Sequence, residues 1–377
     1  MKPGNLFFEK KTIAAAFIYF LISGIFLYKY GIQLGGEAEK YIDNANRIIR
    51  HDELRNGFFG IFYFAYSLII SFFIRFSINL FFVAVLQLIV SFVAALALYK
   101  TALLVLENKR IAFCIFCCYL ICYPVQKWNF FLYSESMHTS LVVIAAYLFC
   151  KAINENKYRI WIAFGLIIPV VIFSRPVGII FLISVSLVLI VWLYRNKKRF
   201  GALVLGLLFI AGIIGIVISP VTSFINPDSL KRMEVICQVP EANANINYTE
   251  FNKEGLYKAY TVIKDEIGVW NFILTGFKKL GSFYSQYRPY YSWQNNLLLL
   301  LYCIFYPFAL VAIFSKQPNS FWYIKLLSIL YIGLTSIIIF FTCDDWANRF
   351  ISPVFPFVLI LAAPAIRNLF YKIKLWR

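Results

Sequence analysis

Apolar runs of membrane-spanning length recur along almost the whole chain. A transmembrane helix needs about 20 consecutive, mostly apolar residues, and ten stretches of this sequence are candidates. They lie at 12–30, 78–100, 110–126, 136–153, 159–174, 177–194, 201–220, 295–314, 321–342 and 350–366. The sequence therefore predicts an all-α, polytopic membrane protein with about ten transmembrane helices.

Composition and charge placement agree with this class. Hydrophobic residues make up 61% of the chain and charged residues 14%, which no soluble globular protein of this size shows. The first run lacks a small-residue cleavage site, so we expect a retained helix rather than a removed signal peptide. The net charge of +18 comes from basic residues at the ends of apolar runs. That placement suits membrane orientation and anionic lipids, and we expect no nucleic-acid partner.

Cysteine and histidine usage argues against a disulfide framework and against a metal centre. Five of the eight cysteines fall inside predicted spans, where cysteine is usually a small apolar packing residue. They are Cys114, Cys117, Cys118, Cys122 and Cys150. Only His51 and His138 are present, so a histidine-based metal site is not expected.

The stretch 57–76 is an eleventh apolar candidate, and charge bias decides its assignment. It contains Arg75, Gly57 and Gly60, and another long run follows at once. We assign it as an interfacial or re-entrant segment, with both termini cytoplasmic. The short cytoplasmic segments then collect basic residues, as the positive-inside rule requires; they are Lys2, Lys10, Lys11, Lys109, Arg110, Lys151, Lys157, Arg159, Arg195, Lys197, Lys198, Arg199, Lys316, Arg367, Lys372, Lys374 and Arg377. If 57–76 crossed, every later basic loop would face outward.

This topology divides the chain and places one set of charged residues at or near the outer membrane surface: Glu37, Glu39, Asp43, Glu135, Arg175, Asp344, Asp345 and Arg349. We predict an N-terminal transmembrane module (1–220) with a first outer loop at 31–77, an outer-face loop or small subdomain (221–294), and a C-terminal transmembrane module (295–377). The chain has neither a Gly-rich phosphate loop nor a dinucleotide-binding fingerprint. A reaction on the outer face would therefore take its activated substrate from a lipid carrier.

The first outer loop holds the candidate catalytic carboxylates. Gly35-Gly36 precedes Glu37, which opens an amphipathic segment with an apolar stripe at helical spacing. The stripe consists of Ala38, Tyr41, Ile42, Ala45, Ile48 and Ile49. A helix of this kind lies in the membrane interface with its acidic N-terminus at the water boundary.

Five short patterns resemble, in order, those of the GT-C glycosyltransferase superfamily, particularly its protein-mannosyltransferase and lipid A aminoarabinose transferase group. They are Glu37-x3-Tyr41-x3-Ala45, Asn56-Gly57-Phe58-Phe59-Gly60, Ser134-Glu135, Ser174-Arg175-Pro176-Val177-Gly178 and Asp345-x3-Arg349-x3-Pro353-x2-Pro356. The resemblance covers most of 1–195 and again 340–366. The family often has an Asp where this chain has Glu37-x-Glu39.

The resemblance implies an inverting transfer of a sugar from a polyprenyl-phosphate donor to a cell-surface glycan, lipid or protein on the outer face of the cytoplasmic membrane. Glu37 is the expected general base, with Glu39 as the open alternative. The expected ligands of the donor phosphate are Arg175, Arg349 and Arg288. Expected substrate-orienting residues are Tyr41, Asp43, Glu135, Asp344, Asp345, Tyr287 and Tyr290. No cofactor is required, and a divalent metal is possible but not indicated.

Each of these residues also has a structural interpretation. Glu37 and Glu135 would stand at helix N-termini, where the helix dipole favours an acid. Arg175 would extend to the membrane surface, and Arg349 would pair with Asp345 one turn away. The tyrosines near Tyr287 would form an interfacial aromatic belt.

Two other functions stay open. One is an O-antigen polymerase-like or ligase-like enzyme, for which we would expect an outer loop rich in Arg and His. The other is a non-catalytic polysaccharide or lipid transporter, which would need mid-membrane charges and paired halves.

Overall fold

The computed structural model describes residues 3–55, 57–197, 201, 206, 234–237, 262–315, 319–345 and 347–372. The regular elements of this part of the chain are helices, and two isolated β-bridges pair segments outside them. The prediction of a helical, multi-pass membrane protein is confirmed. Six helices of the described ranges are long and apolar enough to cross a bilayer: Lys10–Tyr30, Phe81–Leu106, Ser134–Glu155, Gly178–Arg195, Trp293–Phe314 and Phe321–Phe341.

The other predicted spans have different outcomes. The run 110–126 forms two helical pieces, Lys109–Leu120 and Tyr123–Phe130, bent by 50°. The runs 159–174 and 350–366 form shorter apolar helices, and the run 201–220 lies outside the described residues apart from 201 and 206. The segment 57–76 is a 3₁₀ turn followed by a helix of 12 residues, about 18 Å long. The count of ten spans stays a prediction.

The first of two compact units is formed within Met1–Leu182, Phe305–Ser328 and Phe355–Arg377. Its helices are α1 (Pro3–Tyr30), α2 (Ala38–Arg50), α3 (Phe64–Arg75), α4 (Phe81–Leu106), α5 (Lys109–Leu120), α6 (Tyr123–Gln126), α7 (Ser134–Glu155), α8 (Tyr158–Ile172), the start of α9 (Gly178–Arg195), α12 (Phe305–Phe314), the start of α13 (Asn319–Phe341) and α14 (Phe355–Lys372). Helices α4 and α7 pack closely at the centre of this unit, because small residues line both. Buried examples are Ala94 and Ala95 on α4, and Ala145 and Ala146 on α7.

The second unit is formed within Ile183–Ile304 and Ile329–Val354. Besides the later parts of α9 and α13, it contains α10 (Val269–Ser285) and α11 (Trp293–Leu301). Gly276 on α10 allows a close approach, because a Cβ at this position would clash with the ring of Phe340 on α13. In the predicted outer subdomain 221–294, residues 221–233 and 238–261 lie outside the described residues.

Candidate functional site

The Gly-Gly hinge before α2 sets the position of Glu37. Gly36 has a φ of +69°, and a Cβ there would clash with the Tyr133 hydroxyl, so only glycine fits. The Tyr133 hydroxyl donates to the carbonyl of Gly35 at 2.7 Å and accepts from the backbone N–H of Glu37 at 3.2 Å. Helix α2 then begins at Ala38 and buries Ala38, Tyr41 and Ala45, three of the six residues of the predicted stripe. Glu37 is thus held by its backbone, and its side chain is half-buried.

A buried polar network fixes the segment that carries Tyr133. The side-chain amide of Gln87 on α4 donates to the carbonyls of Asn129 and Phe131 at 3.1 and 2.9 Å. The Gln87 carbonyl accepts from the Tyr66 hydroxyl at 2.7 Å. Gln33, beyond α1, pairs with the same segment through Gln33 N–H to Phe130 O and Leu132 N–H to Gln33 O. These bonds make the 127–133 segment a rigid support for the hinge.

Tyr41 connects α2 to the beginning of α7. It is fully buried, and its hydroxyl lies 3.0 Å from the Ser134 hydroxyl. Burial raises the pKa of Tyr41 well above its ordinary value, and the negative charge of Glu135 raises it further. Tyr41 therefore stays neutral. Since it is enclosed, it can orient a substrate only through its neighbours.

A buried ion pair lies near Tyr41. Arg175 Nη1 stands 2.7 Å from Glu135 Oε1, and their side chains are 7% and 0% exposed. Glu135, Arg175 and Glu37 all lie close enough to Tyr41 to change the pKa of its hydroxyl. The structure thus brings together four of the residues singled out from the sequence. It places Arg175 against a carboxylate, one of the two partners its position among apolar runs indicated.

A second buried contact orders the turn before α9. Ser174 precedes Arg175, and its hydroxyl donates to the carbonyl of Val171 at 2.7 Å. Since that proton is used, the 2.8 Å contact between Ser174 Oγ and His138 Nδ1 assigns the hydrogen to His138. His138 therefore positions the Arg175 turn from α7.

The other acidic residues of α2 lie differently. Glu39 is exposed, two residues beyond Glu37 and about 200° around the helix. Asp43 pairs with Arg47 at 3.1 Å, with both side chains about two-fifths exposed. Asp43 therefore lies in a solvated pair one turn apart, while Glu37 lies at the Tyr133 hinge.

Sequence reasoning missed three residues of this cluster. Tyr133 precedes the Ser134-Glu135 pattern, but its contact with the hinge spans 96 positions and has no local signature. His138 was considered only as a metal ligand. Lys40 lies one turn after Glu37, and its ammonium stands 3.8 Å from the centroid of the Tyr63 ring. An amphipathic-helix pattern does not distinguish such a lysine from a solvated one.

The second unit contains the other predicted cluster, and there the arginines are enclosed. Arg288 is fully buried, and its guanidinium donates to Asp344 Oδ2 and to the carbonyl of Asp345, both at 2.6 Å. It also donates to the Ser282 hydroxyl at 2.8 Å and to the carbonyl of Tyr287 at 2.9 Å. The guanidinium N–H groups that a phosphate would need are thus already bonded to protein oxygens. Arg288 ties α10 to the 342–354 turns in this structure.

The other charged residues of this cluster are paired with one another as well. Arg349 Nε and Nη2 contact Asp345 Oδ2 at 2.9 and 2.8 Å, the one-turn pairing considered above. Burial raises the pKa of Asp344 to about 6, although Arg288 opposes the shift. Burial also acts to raise the pKa of Asp345, but Arg349 and backbone N–H groups outweigh it and lower the pKa. Tyr287 and Tyr290 are about half exposed.

The structure contains a disulfide that the sequence analysis did not predict. Cys237 and Cys343, 106 positions apart, are bonded. The backbone pairs alongside, with Cys237 N–H donating to Asp344 O and Asp344 N–H to Val235 O. Only one such bond is present in the described residues, so there is no framework. The pairing was missed because neither cysteine has a spacing pattern that indicates its partner.

The described residues contain no group of three or more His, Cys, Asp or Glu side chains suited to a metal ion. Comparison of the chain with protein families, with curated proteins and with solved structures finds no match.

Proposed function

We propose that this protein is an integral-membrane glycosyltransferase of GT-C type. It would move a sugar from a polyprenyl-phosphate carrier to an acceptor hydroxyl on the outer face of the cytoplasmic membrane, with inversion. The observation that carries the proposal is the hinge at Glu37. A half-buried carboxylate, held through its backbone by Tyr133, stands at the start of an amphipathic helix and beside a buried ion pair.

Glu37 meets the requirements of a general base. An alcohol is a poor nucleophile until its proton is removed, and a positioned carboxylate removes it. Partial exposure leaves Glu37 open to an acceptor, and the fixed backbone limits its reach. Glu39 is exposed on another side of α2, and its backbone has no such contact with Tyr133.

The leaving phosphate needs cationic or hydrogen-bonding groups. Because Glu135 neutralises the charge of Arg175, the ion pair brings no net charge to a bound phosphate. Lys40, one turn beyond Glu37, adds a positive charge on the same helix. We therefore assign the charge contact with the phosphate to Lys40.

The disulfide supports the proposed orientation. Disulfides persist in oxidising compartments outside the cytoplasm. Cys237 and Cys343 both fall in segments that the charge bias assigns to the outer face. Both termini would then be cytoplasmic.

A matched pair of variants tests the proposal. Purified full-length protein in liposomes is supplied with a membrane extract that contains both lipid-linked sugars and acceptor glycans, lipids and proteins, and the consumption of the lipid-linked sugars is followed by mass spectrometry. Glu37→Gln keeps size and removes basicity, so the rate should fall about 10²–10⁴-fold. Glu39→Gln, the control on the same helix, should keep most of the activity. If the wild-type protein consumes no lipid-linked sugar, or if Glu37→Gln matches it, the proposal fails.

A further inference from the structure

A long groove lies between α1 and the bent α5–α6 segment. Its volume is about 740 Å³, and it runs along α1 from Ala15 to Gly31 and along the facing segment from Cys117 to Phe131. Both walls are mainly apolar, with Ile18, Ile22, Phe26, Leu120, Ile121 and Phe130 among the lining side chains. A cavity of this size is in the range of about 300–1,000 Å³ that small-ligand sites occupy.

The polar groups of the groove are of two kinds. Tyr19 and Gln126 bond each other at 2.9 Å, and Gln126 also donates to the carbonyl of Tyr119 and accepts from Asn129. Their hydrogen bonds are therefore made within the protein. Lys127 also lines the groove, and its ammonium stands 4.7 Å from the centroid of the Trp128 ring. It brings a positive charge to an otherwise apolar channel.

The residues at one end of the groove are close in sequence to the Glu37 hinge. Gln33 and Phe131 line this end, and they form the backbone bridge between the segment after α1 and the segment after α6. Four residues after Gln33 is Glu37, and two residues after Phe131 is Tyr133, which bond to each other. A ligand that leaves the groove at this end therefore emerges beside the candidate base.

These features select one kind of occupant. Since α1 is a candidate membrane span, the groove opens at membrane depth, where the available molecules are lipids. A channel about 25 Å long, taken from the helical rise over residues 15–31, fits a single extended hydrocarbon chain. Lys127 complements an anionic headgroup.

We propose that the groove binds the hydrocarbon chain of a prenyl phosphate, with Lys127 as a second cation on the phosphate in addition to Lys40, and with the adjoining end of the molecule at the Glu37 hinge. The inference rests on the proposed function for the identity of the lipid, but binding does not require turnover. Helix α1 would then bind the lipid substrate in addition to anchoring the protein in the membrane.

Photolabelling tests the proposal on the full-length protein in nanodiscs. The probe is a prenyl phosphate with a diazirine on its chain, and labelled peptides are mapped by mass spectrometry. We expect label within 15–31 and 117–131, displaced by unlabelled prenyl phosphate but not by a tenfold excess of phosphatidylglycerol. Label displaced equally by both lipids would mean a general annular-lipid site and would overturn the proposal.

Two variant pairs locate the contacts. Ser23→Trp places a bulky ring in the groove and should reduce labelling at least tenfold. Gly24→Trp, its neighbour, should not, because a Cβ at Gly24 meets nothing within 4 Å. Lys127→Gln should weaken binding about fivefold, the effect of about one kcal/mol per basic residue, whereas Lys29→Gln outside the groove should not. Equal labelling of Ser23→Trp and Lys127→Gln with the wild-type protein would refute the site.

The same preparations separate this inference from the proposed function. Glu37→Gln protein should be labelled like the wild-type protein, because Glu37 does not line the groove. Groove labelling without sugar transfer would support the groove and reject the transferase. Glu37-dependent transfer without groove labelling would reject the groove alone.

Discussion

Glu135→Gln removes the negative charge from the buried ion pair and leaves Arg175 charged in an enclosed site. The two side chains are 0% and 7% exposed, and their charged atoms are 2.7 Å apart. Removing one partner of a buried pair costs about 3–5 kcal/mol, because the other charge stays desolvated without compensation. We therefore expect the unfolding equilibrium of Glu135→Gln to shift by roughly two to four powers of ten.

The assay is unfolding of purified protein in mixed detergent micelles, with helicity as the readout. Asp43→Asn is the control, since it breaks the pair with Arg47, which is also at hydrogen-bonding distance but about two-fifths exposed. An exposed pair one helical turn apart contributes only about 0.3–0.5 kcal/mol. The control variant should therefore unfold almost like the wild-type protein.

A double variant completes the cycle. Glu135→Gln combined with Arg175→Met removes both charges, so that no uncompensated charge stays buried. We expect the double variant to recover most of the stability lost in Glu135→Gln. If the two single losses simply add, or if Glu135→Gln costs no more than Asp43→Asn, the pair does not hold the α7–Arg175 junction together.

Three further predictions concern topology, the disulfide and pH. Cysteines introduced at Arg55 and Ser77 should both react with an impermeant maleimide from outside intact cells; labelling from opposite sides would mean that 57–76 crosses. Cys343→Ser should make the Cys237 thiol reactive from outside, whereas the wild-type bond should protect it until a reductant is added. The folded-state pKa of Asp344, about 6, is above its unfolded value, so its stabilising contribution is present below about pH 4 and is lost as the pH rises through 6. Between pH 4 and 6.5 the free energy of unfolding of Asp344→Asn should therefore fall less than that of the wild-type protein. An equal dependence on pH in the two proteins would contradict the raised pKa of Asp344.

Local periodicity predicted the elements that depend on local sequence. Of the six residues in the predicted apolar stripe on α2, the structure buries Ala38, Tyr41 and Ala45 and leaves the three isoleucines partly exposed. Asn44 is buried as well, because its side-chain oxygen accepts the N–H of Arg55 at 2.8 Å. A hydrophobic pattern cannot indicate a buried amide whose partner lies in a following turn.

Long-range pairing limited the prediction of the sites. The apolar surroundings of Arg175 in the sequence indicated an anionic partner. In the structure that partner is Glu135, 40 positions away, which no local pattern identifies. Arg288 was assigned to phosphate because it stands among tyrosines. Its acceptors Asp344 and Asp345 lie more than 55 positions away, and they enclose it. Residue type thus indicated that each arginine needed an anion, whereas only the fold identifies which one.

The fate of a lipid-linked sugar on the Glu37→Gln protein tests the central claim most directly. After incubation with a membrane extract that supplies lipid-linked sugars and acceptors, the protein is examined by native mass spectrometry, with released prenyl phosphate measured in parallel. If Glu37 is the base, binding does not depend on its charge but proton removal does. We predict that Glu37→Gln protein retains intact donor lipid and releases no prenyl phosphate, while wild-type protein releases it. Release by Glu37→Gln at the wild-type rate would contradict the account.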